Sequence, residues 1–364
     1  MNARRTVAVM TGGGDAPGLN AVIRAIVKQG VTQLGWRVIG LEDSFDGLLE
    51  SPLRIIDFDR DQVRGILTLG GTILGTTNHG DPFKFRETDG SVSDRSTDVA
   101  DRLKLLGVEG LIAIGGDGSM GICARLMKER GVQVIGVPKT IDNDIPGTEI
   151  TFGFDTATAF ATESVDRLHS TAEAHERVMV LEVMGRDAGH LALHAGLGGG
   201  ADVILIPEIP FTWEAVLGKL MRRRAHKRHF SIVVVAEGAK PEGGQVLERT
   251  NADGRKSHGG MGQYVADEIS RRTGLDSRCT VLGHLQRGGT PTPHDRVLAS
   301  RMGHHAMELA RRNEWGRMVA VRGNRMDSVE LTWLLTQPCR QLPLNDDAIS
   351  TARALGIVFG DEAV

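Results

Sequence analysis

A lysine, a threonine and two aspartates fall within one short stretch, Lys139, Thr140, Asp142 and Asp144, in the run Val-Pro-Lys-Thr-Ile-Asp-Asn-Asp. Two carboxylates this close repel each other if both ionise in a dry site, and a metal ion or a neighbouring cation relieves that repulsion. Asp142 is the candidate base that takes a proton from an attacking hydroxyl, and Thr140 a candidate hydrogen-bond partner for a transferred group. A second stretch, Gly-Gly-Asp-Gly-Ser at 115–119, sets Asp117, a hard oxygen donor suited to Mg²⁺, between glycines that let phosphates approach the backbone. A third, Gly12–Gly18, follows a short apolar run and precedes a helical pattern, the place where a backbone can cradle an anion. Together they are the equipment for moving a phosphoryl group with a metal ion. Each has a plainer reading too: a tight structural turn at Gly12–Gly18, a solvated loop at Asp117, a turn or cap at Asp142 and Asn143.

The elements that carry these residues alternate in type. Thr6–Met10, Arg37–Leu41, Leu111–Ile114 and Val134–Val137 are short apolar runs that read as buried strands of a parallel sheet. Between them, Leu19–Leu34 shows helical spacing, with Val22, Ile23, Ile26, Val27 and Val31 on one side, and 98–107 and Ser119–Arg130 read as helices. The alternation resumes with a helix over Thr156–His169 and strands over Val178–Val183, Val203–Ile206 and Ile232–Ala236. Strands alternating with helices predict doubly wound α/β sheets, with a second domain from about residue 154. Ligands of such sheets sit outside the carboxyl ends of the strands, where all three stretches fall. Residues 239–262 are polar and glycine-rich and read as a loop. From about 340 on, no chemistry is legible.

With 364 residues, two domains are expected. A charged fraction of 24% and an apolar fraction of 40% are ordinary for a globular protein, and a net charge of −3 gives no support to a nucleic-acid partner. Cys123, Cys279 and Cys339 lie far apart without a Cys-x-x-Cys pair, which favours a reduced, cytoplasmic setting over a zinc site. The first residues lack the apolar core of a signal peptide, and no stretch is long and apolar enough to span a membrane.

Further polar residues sit at strand ends. His284 and Arg287 follow the apolar run Thr280–Leu282, and a guanidinium fork suits phosphate. Arg186 ends Met184-Gly185-Arg186, Arg177 precedes the 178–183 strand, and Glu237 ends another strand. The basic run at 222–228 reads as a solvated helix face, with an anionic effector site as the alternative.

Taken together, these segments closely resemble the 6-phosphofructokinases, which phosphorylate fructose 6-phosphate on its 1-hydroxyl. The resemblance runs to about residue 325, with the motifs in the family's order, and the Arg278–Arg296 segment fits the family signature without a gap. It implies two Rossmann-like domains with the active site in the cleft between them. A larger nucleotide-binding domain would take 1–153 and about 286–336, and a smaller sugar-phosphate domain about 154–285 and 337–364. By position, Gly13, Gly14, Gly116, Asp117, Gly118 and Ser119 would hold the nucleotide phosphates, with Asp117 carrying Mg²⁺. Thr140, Ile141 and Asp142 would bind the sugar, Asp142 as proton acceptor, and Asp144 would assist the metal. Met184, Gly185 and Arg186 would contact the sugar, with Arg186 also stabilising the transition state. Glu237 would bind sugar hydroxyls, and the His284, Leu285, Gln286 and Arg287 segment the 6-phosphate. Arg177 and Arg278 match residues that reach a neighbouring subunit's site, which implies a homodimer or homotetramer.

Three departures qualify the resemblance. Gly118 matches the ATP-using branch, where a small residue leaves space for the nucleotide. Lys139 matches the pyrophosphate-using branch, and the mixture places the chain with a mixed-pattern bacterial subgroup. Gly118 favours ATP, and Lys139 leaves pyrophosphate use open. Gly75-Thr76-Thr77-Asn78 stands where an arginine often meets the donor phosphates, and His169 where an effector-site arginine often stands. Arg24, Lys28 and the 222–228 run keep an anionic effector possible. The alternatives are a pyrophosphate-dependent fructose-6-phosphate 1-phosphotransferase, a kinase of another small alcohol or of NAD, and a non-catalytic nucleotide-sensing subunit. Asp117, Asp142 and Asp144, all present, count against the last.

Overall fold

The computed structural model describes residues 4–250 and 256–362. The chain forms two compact units: Met1–Ile141, Ile145–Asp155 and Arg287–Pro338 make the first, and Asp142–Asp144, Thr156–Gln286 and Cys339–Val364 the second.

The first unit is built on an eight-stranded sheet. Its main order is Arg325–Glu330, Arg317–Arg322, Val134–Thr140, Gly110–Gly115, Thr6–Thr11, Arg37–Leu41 and Ile55–Phe58, and Phe152–Gly153 pairs beside Val134–Thr140. The central pairs are parallel, and the two outermost strands run antiparallel to their neighbours. Alternate residues of Thr6–Thr11 enter different cores. Val7 and Val9 pack with helices Leu19–Val27 and Pro293–Arg311, while Ala8 and Met10 pack with Ser96–Leu105 and Asp117–Arg130. Helices therefore cover both faces, which is why the strands read as unbroken apolar runs. The chain leaves Thr6–Thr11 for Arg37–Leu41 on one side and later adds Gly110–Gly115 on the other. That reversal is the switch point where open α/β sheets bind ligands.

The second unit has a four-stranded, all-parallel sheet in the order Val203–Leu205, Ser231–Ala236, Val178–Val183 and Ser277–Val281. One face packs on helices Trp213–Ala225 and Met261–Thr273. Helix His190–Gly198 lies on the other, so close that a Cβ on Gly196 would fall 2.6 Å from Ile204 Cγ1. The order reverses between Val178–Val183 and Ser277–Val281, the unit's own switch point.

Several elements differ from the sequence reading. The first α-helix ends at Val27 and continues as a π-helical turn over Lys28–Gln33. The helix expected over Thr156–His169 spans Phe154–His175. The helix expected from Ser119 begins at Asp117, so Asp117 and Gly118 belong to its first turn. The loop expected at 239–262 contains an antiparallel pair, Glu248–Thr250 with Lys256–His258, and the residues joining them lie outside the described ones. The tail carries a helix, Asp347–Ala354.

Candidate active site

In the first unit the carboxyl ends of two adjacent strands bring both glycine turns together. Thr11 is in register with Ile114, and Gly12 N–H donates to the Ile114 carbonyl at 2.9 Å. The approach requires glycine: a Cβ on Gly12 would sit 2.8 Å from Ser119 Oγ, and one on Gly115 2.4 Å from Ser119 Cβ. Gly13, at φ 77°, occupies the left-handed region that glycine enters freely. The Gly75–Thr77 segment, which lacks the expected arginine, braces this turn. Gly13 N–H donates to the Thr77 carbonyl at 3.1 Å, Thr76 Oγ1 to the Gly13 carbonyl at 2.6 Å, and Thr11 Oγ1 to the Gly75 carbonyl at 2.5 Å.

Two cations border the turn. Lys139, only 4% exposed, donates through Nζ to the Gly14 carbonyl. Arg287 Nη1 donates to the Asp15 carbonyl at 3.2 Å and would lie 3.0 Å from a Cβ on Gly14. Glycines 18 and 116 stand at the N-caps of the two helices that follow and supply no side-chain acceptor to their first amides. Other helices are capped by side chains, Thr212, Thr292 and Asp346, or, like these two, begin at a glycine, Gly189 and Gly260. Helix starts left open beside lysine and arginine suit a phosphate chain. Asp117 is exposed in the first turn, and a Cβ on Gly118 would meet open space. Among the described residues no three His, Cys, Asp or Glu side chains group as a metal site. A single carboxylate fits a magnesium ion shared with phosphate oxygens, the usual arrangement of that ion beside a nucleotide.

Thr140 ends its strand, and its carbonyl accepts from Thr151 Oγ1 at 2.8 Å. Ile141 is fully buried, so only its backbone faces outward chemistry. The Asp142–Asp144 turn belongs to the second unit, with Asn143 in the left-handed region at φ 55°.

The second unit assembles another set at its strand ends. Gly185 has φ 127°, and a Cβ on Gly238 would fall 1.9 Å from the Arg186 carbonyl oxygen. The Glu237-Gly238 turn thus lies directly on Met184-Gly185-Arg186, with Glu237 N–H on the Val183 carbonyl at 2.9 Å. Arg186 Nε bonds Asp187 at 2.6 Å. His284 and Leu285 are exposed on a 3₁₀ turn, while Gln286 points inward and its Oε1 accepts from Met184 N–H at 2.8 Å. Arg177 and Arg278 meet on one carboxylate: Asp276 Oδ2 accepts from Arg177 Nε at 2.5 Å, and Oδ1 pairs with Arg278. Arg177 first, then Arg278, hold the Asp276 carboxyl below its usual range.

Sequence reasoning missed Asp276, Glu208 and Arg340. Their signal is spatial: Asp276 precedes an ordinary edge strand, and Glu208 follows an Ile-Pro pair. At the expected effector positions, Lys28 lines a surface cavity of about 420 Å³ with Thr32, Arg60, Asp61 and Arg64. Arg223 is engaged with Asp202 at 2.6 Å, and His169 Nε2 with the Gly199 carbonyl at 2.8 Å.

Two doubly wound units, one with glycine turns flanked by cations at its switch point, define a phosphate-handling α/β protein. The chain belongs to the phosphofructokinase family, whose model matches residues 6–310. It is 52% identical over 359 residues to the ATP-dependent 6-phosphofructokinase of Chloroflexus aggregans, covering 99% of each chain. It is also 50% identical over 328 residues to the pyrophosphate–fructose 6-phosphate 1-phosphotransferase of Amycolatopsis methanolica, covering 89% of this chain and 93% of that one. Among solved structures, phosphofructokinase from Saccharomyces cerevisiae aligns with a TM-score of 0.77 at 30% identity, over 92% of this chain and 45% of the yeast chain.

Proposed function

We propose that this protein is an ATP-dependent 6-phosphofructokinase, transferring the γ-phosphoryl group of ATP to the 1-hydroxyl of fructose 6-phosphate. The observation that carries the donor side is the paired glycine turn with Lys139 beside it. In this reading the first unit is the nucleotide-binding domain and the second the sugar-phosphate domain. Gly13, Gly14 and Gly116–Ser119 receive the donor phosphates. Asp117, with help from Asp144, holds Mg²⁺, which when bound offsets charge on the phosphate oxygens.

Asp142 takes the proton from the sugar's 1-hydroxyl as it attacks. Thr140 hydrogen-bonds the moving group, and Arg186 offsets charge on it. Ile141 contributes backbone contact, and Met184, Gly185 and Glu237 line the sugar. His284, Leu285, Gln286 and Arg287 form the 6-phosphate segment. Arg177 and Arg278 complete the site of a neighbouring copy, making the enzyme a homo-oligomer. Their shared anchor, the exposure of Val281 on the edge strand and that of Leu285 on the turn after it support this. We place the reaction in the cytoplasm, in keeping with three cysteines that form no disulfide.

Pyrophosphate is the second donor to weigh, because Lys139 faces the glycine turn and a pyrophosphate-dependent relative is nearly as similar as the ATP-dependent one. Open space at Gly118 favours ATP. The test is purified protein with fructose 6-phosphate and Mg²⁺, and either ATP or pyrophosphate as sole donor. Turnover with ATP is expected. Turnover with pyrophosphate alone would transfer donor choice to Lys139, and silence with both would remove the sugar assignment.

A further inference from the structure

The tail segment Cys339–Leu342 is remote in sequence from the reacting residues, yet it binds two of their turns within the second unit. Arg340 N–H donates to the Asp144 carbonyl at 2.7 Å, and Arg340 Nη1 donates to the Asn143 carbonyl at 2.8 Å. Cys339 Sγ lies 3.6 Å from Asp144 Oδ2. Two residues on, Leu342 N–H donates to Glu208 Oε1 at 2.8 Å. The same carboxylate accepts Gly189 N–H at 2.9 Å, at the end of the loop that starts with Met184-Gly185-Arg186. Glu208 reaches that amide because residue 189 is glycine: a Cβ there would fall 2.8 Å from Glu208 Oε2.

We propose that Arg340 is a positioning residue for the proton acceptor, holding the Asp142–Asp144 turn against the tail and, through Leu342 and Glu208, in register with the Met-Gly-Arg loop. The inference rests on the reading of Asp142 as that acceptor. Two consecutive carbonyls directly after Asp142 are pinned by one residue, so the backbone that aims its carboxylate has little freedom. Asn143 turns the chain here: it is buried, in the left-handed conformation that asparagine tolerates, and its carbonyl is one of the two that Arg340 holds. Losing a donor from a buried carbonyl there leaves a bond that bulk water does not replace.

The test is a double-mutant cycle between Arg340→Met and Asp142→Asn, with kcat and KM measured for both substrates. R340Q is the milder alternative should the apolar side chain prevent folding, and R340K restores a donor. In the wild-type background R340M should lower kcat about 10- to 100-fold, the size of effect that a misplacement of about 1 Å produces. KM for Mg-ATP should stay within about twofold, because the glycine turns and Asp117 assigned to the donor belong to the first unit, and R340K should recover part of the lost kcat. In the D142N background the same change should lower kcat less than about threefold, since the group it positions is already disabled. An equal loss in both backgrounds, or full kcat in R340M, overturns the proposal. If D142N itself keeps wild-type turnover, the acceptor reading falls instead, and the two failures are distinct.

Discussion

The two units meet their chemical tasks with different materials. At the switch point of the first, the backbone does the work: Gly12, Gly13, Gly115 and Gly116 bring amides and helix starts to one place, and the flanking cations bond loop carbonyls. In the second, side chains do the holding: Gln286 holds the Met184 amide at the carboxyl end of its strand, Asp276 holds Arg177 and Arg278 at the amino ends of the two strands, and Arg340 holds the Asp142 turn. A phosphate chain presents the same oxygens whatever it is attached to, so a fixed backbone cradle serves it. A sugar phosphate must be told from its isomers, which takes directed polar groups held in position.

The largest test asks whether the second unit also depends on a backbone approach. Gly238→Ala places a Cβ within 1.9 Å of the Arg186 carbonyl oxygen, against backbone that cannot swing aside. Displacing the Met-Gly-Arg loop by about 1 Å should lower kcat on the order of 10²-fold or more. Steady-state turnover near wild type would show that the loop tolerates movement and would erase the contrast between its glycines and its side chains.

Gly118→Asp sharpens the comparison from the other side. A Cβ at this exposed position meets nothing of the protein within 4 Å, so folding should be unaffected and the melting temperature unchanged within about 2 °C. A carboxylate there would face the inner phosphates of a nucleotide, and like charges brought together cost several kcal/mol. The efficiency kcat/KM for Mg-ATP should fall about 10²-fold while KM for fructose 6-phosphate stays within twofold. A variant with undiminished ATP use would mean that the donor lies elsewhere than over the Asp117 helix.

This difference in materials also explains what the sequence disclosed. Glycine spacing after an apolar run is a local signal, so Gly12–Gly18 and Gly115–Ser119 were legible, as were the strands buried on both faces. Lys139 is legible as a match to the pyrophosphate-using branch, but its burial and its bond to the Gly14 carbonyl are features of the fold alone. Asp276, Glu208 and Arg340 act across gaps of 99, 134 and 197 residues, to Arg177, Leu342 and Asn143, and no periodicity encodes such pairs. The helix expected from Ser119 starts two residues earlier, at Asp117, because the first turn of a helix tolerates glycine at Gly118.

Asp276→Asn probes the shared anchor. Arg177 and Arg278 are part-exposed, with side-chain exposures of 30% and 57%, so each keeps solvent as an alternative partner. Weakening the anchor should widen their orientations without removing them. KM for fructose 6-phosphate is expected to rise about three- to tenfold with kcat within twofold, the modest effect usual for exposed charge pairs. An unchanged KM would mean that the two arginines do not act on the sugar phosphate, whichever copy they serve.

The smallest effect at neutral pH concerns His190, which follows the Gly189 amide bound by Glu208 and is only 2% exposed. Burial first, then the Arg340 charge, pushes its imidazole down from 6.5 to about 4, with His194 adding to the shift and Asp346 opposing it. The sign follows from which state takes up the proton. Well above pH 6.5 the imidazole is neutral in both folded and unfolded chains, and protonation adds no penalty to its burial. As pH falls toward 4, the unfolded chain gains a proton that the folded one refuses, so stability drains away over that window. At pH 5 the loss is about 2 kcal/mol. His190→Leu should therefore match wild type in urea midpoint at pH 8 and exceed it at pH 5. Parallel curves at both values would mean that the imidazole is reached by water on a path its burial conceals, and that the second unit's loop is looser than its hydrogen bonds suggest.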